Sequence, residues 1–241
     1  MNILIISDNK DLCSFVAKTL ISMNQSVVLK FTDHNRKKDY ITGISWDLID
    51  LNDTLTIKRI IKEFDLVFSI HCQKIFLPTL VEGVKCINLH PGYNPENKGW
   101  YPQVFSILNG KKFGATLHEM DDEIDGGAII AQEQIKIEFN DTSYTAYQKV
   151  LKLEKKIFKQ NISKILTGEY LTNKTSGGNY NSKNDFKKLQ NLNLGDVNTL
   201  EYHINILRAL TFPGFDNAVV EKGGKSYVIK IDIEELKLNR P

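Results

Sequence analysis

A chain of 241 residues, 41% hydrophobic and 25% charged, has ordinary globular composition and enough length for a full core plus a small second unit, which excludes a disordered tail or a disulfide-stapled miniprotein. Thirty-one basic residues against twenty-nine acidic ones leave a formal charge of +2, and only Arg36, Arg59, Arg208 and Arg240 carry a guanidinium, so no nucleic-acid grip is expected. Cys13, Cys72 and Cys86 show no CxxC pair or zinc-like spacing and read as reduced thiols, with no metal site implied.

The N-terminal run Asn2–Ser7 is apolar, lacks a basic flank and ends in a turn, which makes it a first strand rather than a signal peptide. No apolar stretch approaches membrane-spanning length, and a cytoplasmic protein is expected. Residues 10–23 place Leu12, Phe15, Val16, Leu20 and Ile21 on one helical face. Strands follow at Ser26–Phe31 and Leu66–Ile70, a helix at 56–63 between them, and a further strand at 84–89 running into a Pro91–Gly92 loop. This alternation predicts an α/β doubly wound, Rossmann-like, mostly parallel sheet. Ligands of such sheets bind beyond the carboxyl ends of the strands, here Ser7, residues 71–74 and residues 88–92. The first turn, Ser7-Asp8-Asn9-Lys10, has no glycine to cradle a dinucleotide phosphate, so NAD and FAD are not expected.

Farther along, the pattern predicts a helix at 101–108, strands at 114–119 and 128–139, and a long helix at 144–166 with a charged outer face. Residues 173–193, rich in Asn, Ser, Gly and Lys, read as a linker or irregular loop. A helix at 197–210 and a hairpin around Gly223-Gly224 complete a small C-terminal α+β extension, too short to fold alone. The expected division is a catalytic domain over 1–183 and the extension over 184–241.

Two segments carry chemistry. Asn88-Leu89-His90-Pro91 ends a buried strand, and period-two geometry points Asn88 and His90 the same way. A lone strand-end histidine is more often structural. The second segment, Met120-Asp121-Asp122-Glu123-Ile124-Asp125-Gly126-Gly127, packs four carboxylates before paired glycines, a costly loop for purely structural work.

Together with Gly99-Trp100-Tyr101-Pro102, Leu108-Asn109-Gly110 and Gly114-Ala115-Thr116-Leu117-His118, these segments resemble the formyltetrahydrofolate-dependent formyltransferases in order and spacing over residues 1 to about 170. The resemblance implies that Asn88, His90 and Asp125 are catalytic and that N10-formyltetrahydrofolate is the cosubstrate. It further implies a pterin pocket formed by Gln73, Lys74, Ile75 and Phe76 with Met120, Asp121, Asp122, Glu123 and Ile124. Ile75 and Phe76 also suit a plain core. The chemistry agrees: attack of an amine on a formyl group needs an oxyanion donor, a proton acceptor and rigid placement. Asn88 and a protonated His90 would serve as donors, and Asp125 as the group that holds His90 or takes the amine proton.

Set against the resemblance, the length and charge of this sequence fit the tRNA-directed relatives poorly, and the first turn is not the Gly-rich turn expected of the glycinamide ribonucleotide enzymes. Residues 90–103 instead resemble the nucleotide-sugar branch, which implies a dTDP-linked amino sugar as acceptor, dTDP-4-amino-4,6-dideoxyglucose favoured, in O-antigen and lipopolysaccharide synthesis. Tyr93 and Trp100 would face the sugar, and Asn94 and Lys98 its hydroxyl or pyrophosphate oxygens. A 3-amino sugar, glycinamide ribonucleotide, and a silent folate- or nucleotide-binding module are the alternatives. The C-terminal extension, with Phe212 and Phe215, resembles segments that support homodimers, so the expected partners are the sugar nucleotide and a second copy, with no nucleic acid or membrane.

Overall fold

The computed structural model describes residues 1–236. In chain order the strands are β1 (Asn2–Ser7), β2 (Ser26–Phe31), β3 (Asp39–Ile41), β4 (Ile44–Leu48), β5 (Leu66–Ile70), β6 (Lys85–His90), β7 (Lys98–Gly99), β8 (Phe113–Glu119), β9 (Ile129–Ile135), β10 (Tyr180–Asn181), β11 (Val219–Lys222) and β12 (Lys225–Val228). The helices are α1 (Lys10–Ser22), α2 (Thr54–Glu63), α3 (Pro78–Gly83), α4 (Pro102–Asn109), α5 (Ser143–Thr167), α6 (Lys183–Gln190) and α7 (Leu200–Leu210). Eight strands form one sheet in the order β3-β4-β2-β1-β5-β6-β8-β9. Its centre, β4 through β6, is parallel, and β3, β8 and β9 each join antiparallel to their inner neighbour.

The central strands are continuous apolar runs because both faces are covered. Along β1, Ile3 and Ile5 enter the layer formed with α1 and α5, while Leu4 and Ile6 enter the layer formed with α2 and α3. Asn9 caps α1 by accepting from Leu12 N, an interaction generally worth about 1 kcal/mol. The chain leaves β1 toward β2 on one side and returns through α2 to β5 on the other. The order therefore reverses between β1 and β5, where a crevice opens beyond their carboxyl ends. No helix among the described residues is long and apolar enough to cross a membrane.

The structure corrects the reading of residues 173–193 as an irregular loop. Asn173 pairs in both directions with Ile129, Tyr180 and Asn181 form β10 against β7, and Ser182 caps α6. Side-chain amides hold this strap: Asn97, fully buried, donates to Ser106 Oγ and Asn109 Oδ1, and its own Oδ1 accepts from Asn109, Asn179 and Asn181. Gly178 (φ +83°) leaves no room for a side chain, since a Cβ there would lie 1.8 Å from the Pro95 carbonyl oxygen. A hairpin, β3–β4, and the short helix α3 also appear where no element was expected. The predicted strand at 128–139 ends at Ile135, and the predicted helix at 197–210 starts at Leu200.

The C-terminal elements pack on α4 through Val104, Phe105 and Ile107 against Phe186, Ala209 and Leu210. Arg208 fastens α7 to the turn before α5, its Nη1 donating to the carbonyls of Glu138 and Phe139, both at 2.7 Å, and of Asp141 at 3.2 Å.

Candidate active site

The crevice is a cleft of about 710 Å³ lined by the loops after β1, β5 and β6, the acidic loop after β8, and residues of the C-terminal elements. That volume suits a small-molecule site. Asn88 and His90 reach it from the end of β6, and Asp125 meets them from the acidic loop.

Asn88 Nδ2 lies 3.2 Å from Asp125 Oδ1 and 3.2 Å from His118 Nε2. His118 faces Asn88 in the β6–β8 register, and its Nδ1–H points at its neighbour Glu119 O at 2.7 Å, which leaves Nε2 to accept from Asn88. Both N–H bonds of the Asn88 amide are thus engaged, at long distances. A ligand oxygen competing for one of them displaces a weak bond.

His90 is 5% exposed; its Nδ1 stands 3.5 Å from Asp125 Oδ1, and its buried Nε2 has no hydrogen-bond partner among the described residues. Gly92 makes room for that ring, because a Cβ at 92 would fall 2.3 Å from Nε2. Burial pushes the His90 imidazole down to about 4, although the Asp125 charge pulls it upward. The sequence reading gave His90 a protonated donor role; the structure corrects this, since a buried imidazole without a hydrogen-bonded anion is neutral near pH 7. Burial likewise holds His118 below the usual histidine range.

These shifts have a measurable consequence. Imidazole NMR is expected to show His90 titrating near pH 4 and unprotonated at pH 6. An unfolded histidine titrates near 6.5, so His90 takes up its proton more readily in the unfolded chain. Its share of stability is whole above about pH 6.5 and lost as pH falls through about 4. A His90 resonance titrating near 6.5 in the folded protein contradicts the assignment.

Asp125 occupies left-handed backbone (φ +50°), held by two contacts: Gly99 N–H donates to Oδ2 at 2.9 Å, and Asn94 Nδ2 donates to the Asp125 carbonyl at 2.8 Å. Thr116 pins the same loop, donating to Gly92 O and accepting from Asn94 N and Gln132 Nε2. Asn94, 2% exposed, is therefore a strut beneath Asp125 rather than an open ligand contact. Tyr93, facing Lys112, and Lys98, on β7, also lie outside the cleft, so of the four residues expected at the sugar the structure brings only Trp100 to its wall. Lys183 Nζ sits 3.8 Å from the centroid of the Trp100 ring system, and Tyr180 and Phe215 extend that wall.

Gln73, Lys74, Ile75, Phe76, Met120, Asp121, Asp122, Glu123 and Ile124 all line the cleft. Phe76 is also core, at 4% exposure, whereas Ile75 stands out at 68%. Gly127 lets the acidic loop turn back on β8: a Cβ there would lie 1.8 Å from Glu119 O. Reading the sequence reached His71 only within the 71–74 strand end and His118 only within the 114–118 motif, and it did not single out the cleft residues Tyr147, Tyr180 and Lys183.

Residues 53–162 match the family described as Formyl transferase, and residues 185–235 match the N-formyltransferase dimerization C-terminal domain. The chain is 40% identical over 183 residues to dTDP-4-amino-4,6-dideoxyglucose formyltransferase of Mycobacterium tuberculosis, covering 75% of this chain and 78% of that one. Its fold is similar to that of a sugar N-formyltransferase from a Shewanella species, with TM-score 0.91 and 36% identity over 98% of this chain and 99% of that one. It is also similar to the formyltransferase PseJ from Anoxybacillus kamchatkensis, solved with UDP-4,6-dideoxy-4-formamido-L-AltNAc and tetrahydrofolate, with TM-score 0.61 and 28% identity over 78% and 89% of the two chains.

Proposed function

This chain belongs to the formyltransferase family, and from that membership we propose that it transfers a formyl group from N10-formyltetrahydrofolate to the amine of a dTDP-linked amino sugar, with dTDP-4-amino-4,6-dideoxyglucose the favoured acceptor. The observation that carries the reading is the convergence of Asn88, His90 and Asp125 beyond the strand ends, lining a cleft large enough for a small-molecule ligand, with a buried His90 Nε2 that has no hydrogen-bond partner among the described residues. The 40% identity to an enzyme named for this acceptor supports the choice of sugar.

The donor set suits the cosubstrate. Ile75, Phe76 and Met120 offer apolar contact to a flat heterocycle, with polar groups of the 120–124 loop at its edge. When bound, the folate supplies the formyl carbon. His90 Nε2, neutral and facing no other partner, accepts the proton that the amine gives up as its nitrogen bonds to that carbon and the bond to the folate nitrogen breaks. Asp125 then offsets the positive charge on the ring. Asn88 turns one N–H from His118 or Asp125 to the formyl oxygen as negative charge grows there, a contribution typically of about 100-fold in rate. The proton taken up at Nε2 is the one available for return to the departing folate nitrogen, which restores the neutral ring.

The extension after residue 184 is proposed to form a homodimer, supported by the dimerization-domain match and by the exposure of Val197, Leu200, Tyr227 and Val228. The catalytic reading is tested by incubating the protein with N10-formyltetrahydrofolate and a panel of 4-amino and 3-amino dTDP-sugars and glycinamide ribonucleotide. Mass spectrometry should detect one added CO on the 4-amino sugar. Formylation of glycinamide ribonucleotide alone would replace the acceptor and keep the reaction, and no product with any amine would return the chain to a binding module.

A further inference from the structure

A second polar cluster opens on the same cleft as Asn88, His90 and Asp125, close enough for His71 to bear on His90. His71 follows β5 in left-handed backbone (φ +51°), and its Nε2 lies 2.8 and 3.0 Å from the two oxygens of Glu154. Glu154, on α5, is fully buried, and His71 is the side chain that meets it. His71 Nδ1 lies 3.2 Å from the Tyr147 hydroxyl, which accepts a further hydrogen bond from Asn9 Nδ2 at 3.2 Å. Asn9, His71 and Tyr147 all line the cleft.

The direction of these bonds follows from counting protons. With only the single proton of a neutral imidazole, the His71–Glu154 pair places a net negative charge at the fully buried Glu154, which is strongly unfavourable. Burial accordingly raises the affinity of Glu154 for a proton, though His71 opposes this. With a second proton on the pair, one on the Nε2–carboxylate line and one on Nδ1, His71 donates from Nδ1 to the Tyr147 oxygen. Tyr147 then receives two donors, from His71 and Asn9, and its own hydrogen has neither as an acceptor. Burial pushes its phenol up to about 12, so it remains a donor at neutral pH.

We propose that Tyr147, with its hydroxyl turned outward by the buried His71–Glu154 pair, donates to a phosphate oxygen of the acceptor's nucleoside diphosphate and so helps select sugar nucleotides. The inference rests on the sugar-nucleotide reading above. A phosphate is the ligand acceptor with cations to meet it: the ammonium groups of Lys10, Lys74 and Lys183 line the same cleft, together with the carboxylates of Asp11 and of the 121–123 loop, while the Asp8 carboxylate is already taken up by Thr32, Asp33 and Gln73.

The test is calorimetric titration of the full-length protein with dTDP, followed by steady-state kinetics. Tyr147→Phe removes one oxygen and should weaken dTDP binding about 10- to 100-fold, the range for a lost hydrogen bond to a charged group. KM for the sugar nucleotide should rise far more than kcat falls. His71→Asn, whose side chain tolerates left-handed backbone, should weaken dTDP in the parent protein but add nothing in the Tyr147→Phe background. If His71→Asn fails to fold, Tyr147→Phe carries the test alone. Equal dTDP affinity in the parent and Tyr147→Phe overturns the proposal. A parent protein that formylates an amine but does not bind dTDP overturns the sugar-nucleotide reading instead, a result the parent titration shows by itself.

Discussion

His90→Ala is expected to lower kcat/KM for formyl transfer about 1,000-fold, within the range for removing a positioned proton acceptor, while far-UV circular dichroism and cooperative melting persist. The expectation follows from the state of the ring. Its Nε2 is buried without a partner among the described residues, burial pushes its pKa down to about 4, and Asp125 stands beside it to meet the charge it gains. His90→Gln should fail equally, since an amide keeps the shape and hydrogen-bonding capacity but takes no proton. Added imidazole should restore part of the rate in His90→Ala, where deletion of the ring opens space beside Gly92. Near-normal kcat/KM in both variants would remove His90 from the chemistry and leave Asp125 as the acceptor.

Asp125→Asn is expected to cost about 100- to 1,000-fold, comparable with the loss of an electrostatic or acid–base group elsewhere. Asparagine is among the residues best able to hold the left-handed backbone at this position, so the loop should survive. The lost charge matters twice. Asp125 raises the His90 pKa, so its neutralisation should move the His90 titration still lower, visible by NMR. Its two oxygens also accept from Asn88 and Gly99, and an amide nitrogen cannot accept from either. A folded Asp125→Asn variant with unchanged kcat and an unchanged His90 titration would contradict the assignment.

What could be read beforehand depended on how each element is stabilised. The central strands β1 and β5 were legible to the residue because burial on both faces writes them as apolar runs between turns, and the half-buried β2 was legible from its β-branched run after a turn. The β3–β4 hairpin was hidden. Its two-residue turn is Thr42-Gly43, both at positive φ, where threonine replaces the usual asparagine or aspartate signal, and its strands sit at an edge. The strap around β10 is held by asparagine amides and close backbone contact, which leave no hydrophobic period to detect. At the site, Asn88 and His90 announced themselves by spacing on one strand. The His71–Glu154 contact joins residues 83 apart in sequence, and only the packing of α5 across the sheet brings them together. Asn94 looked like a ligand contact because loop polarity does not reveal that its side chain turns inward as a strut, and the half-exposed Tyr93 and Lys98 lie beside the cleft without lining it.

The strap has a consequence for anyone exchanging parts among these enzymes. Trp100 N–H donates to Asn181 O, Gly99 pairs with Asn181, and the Gly99 amide in turn holds Asp125. Lys183 lies over Trp100 and Phe186 against Tyr101 within the next few residues. A chimaera spliced at the end of α5 would import another protein's seat for Asp125 along with its C-terminal elements. One spliced after Asn181 would keep the native seat and change only what lies beyond it. The useful seam for recombination is therefore set by which backbone holds the carboxylate, several residues past the point where the last long helix stops.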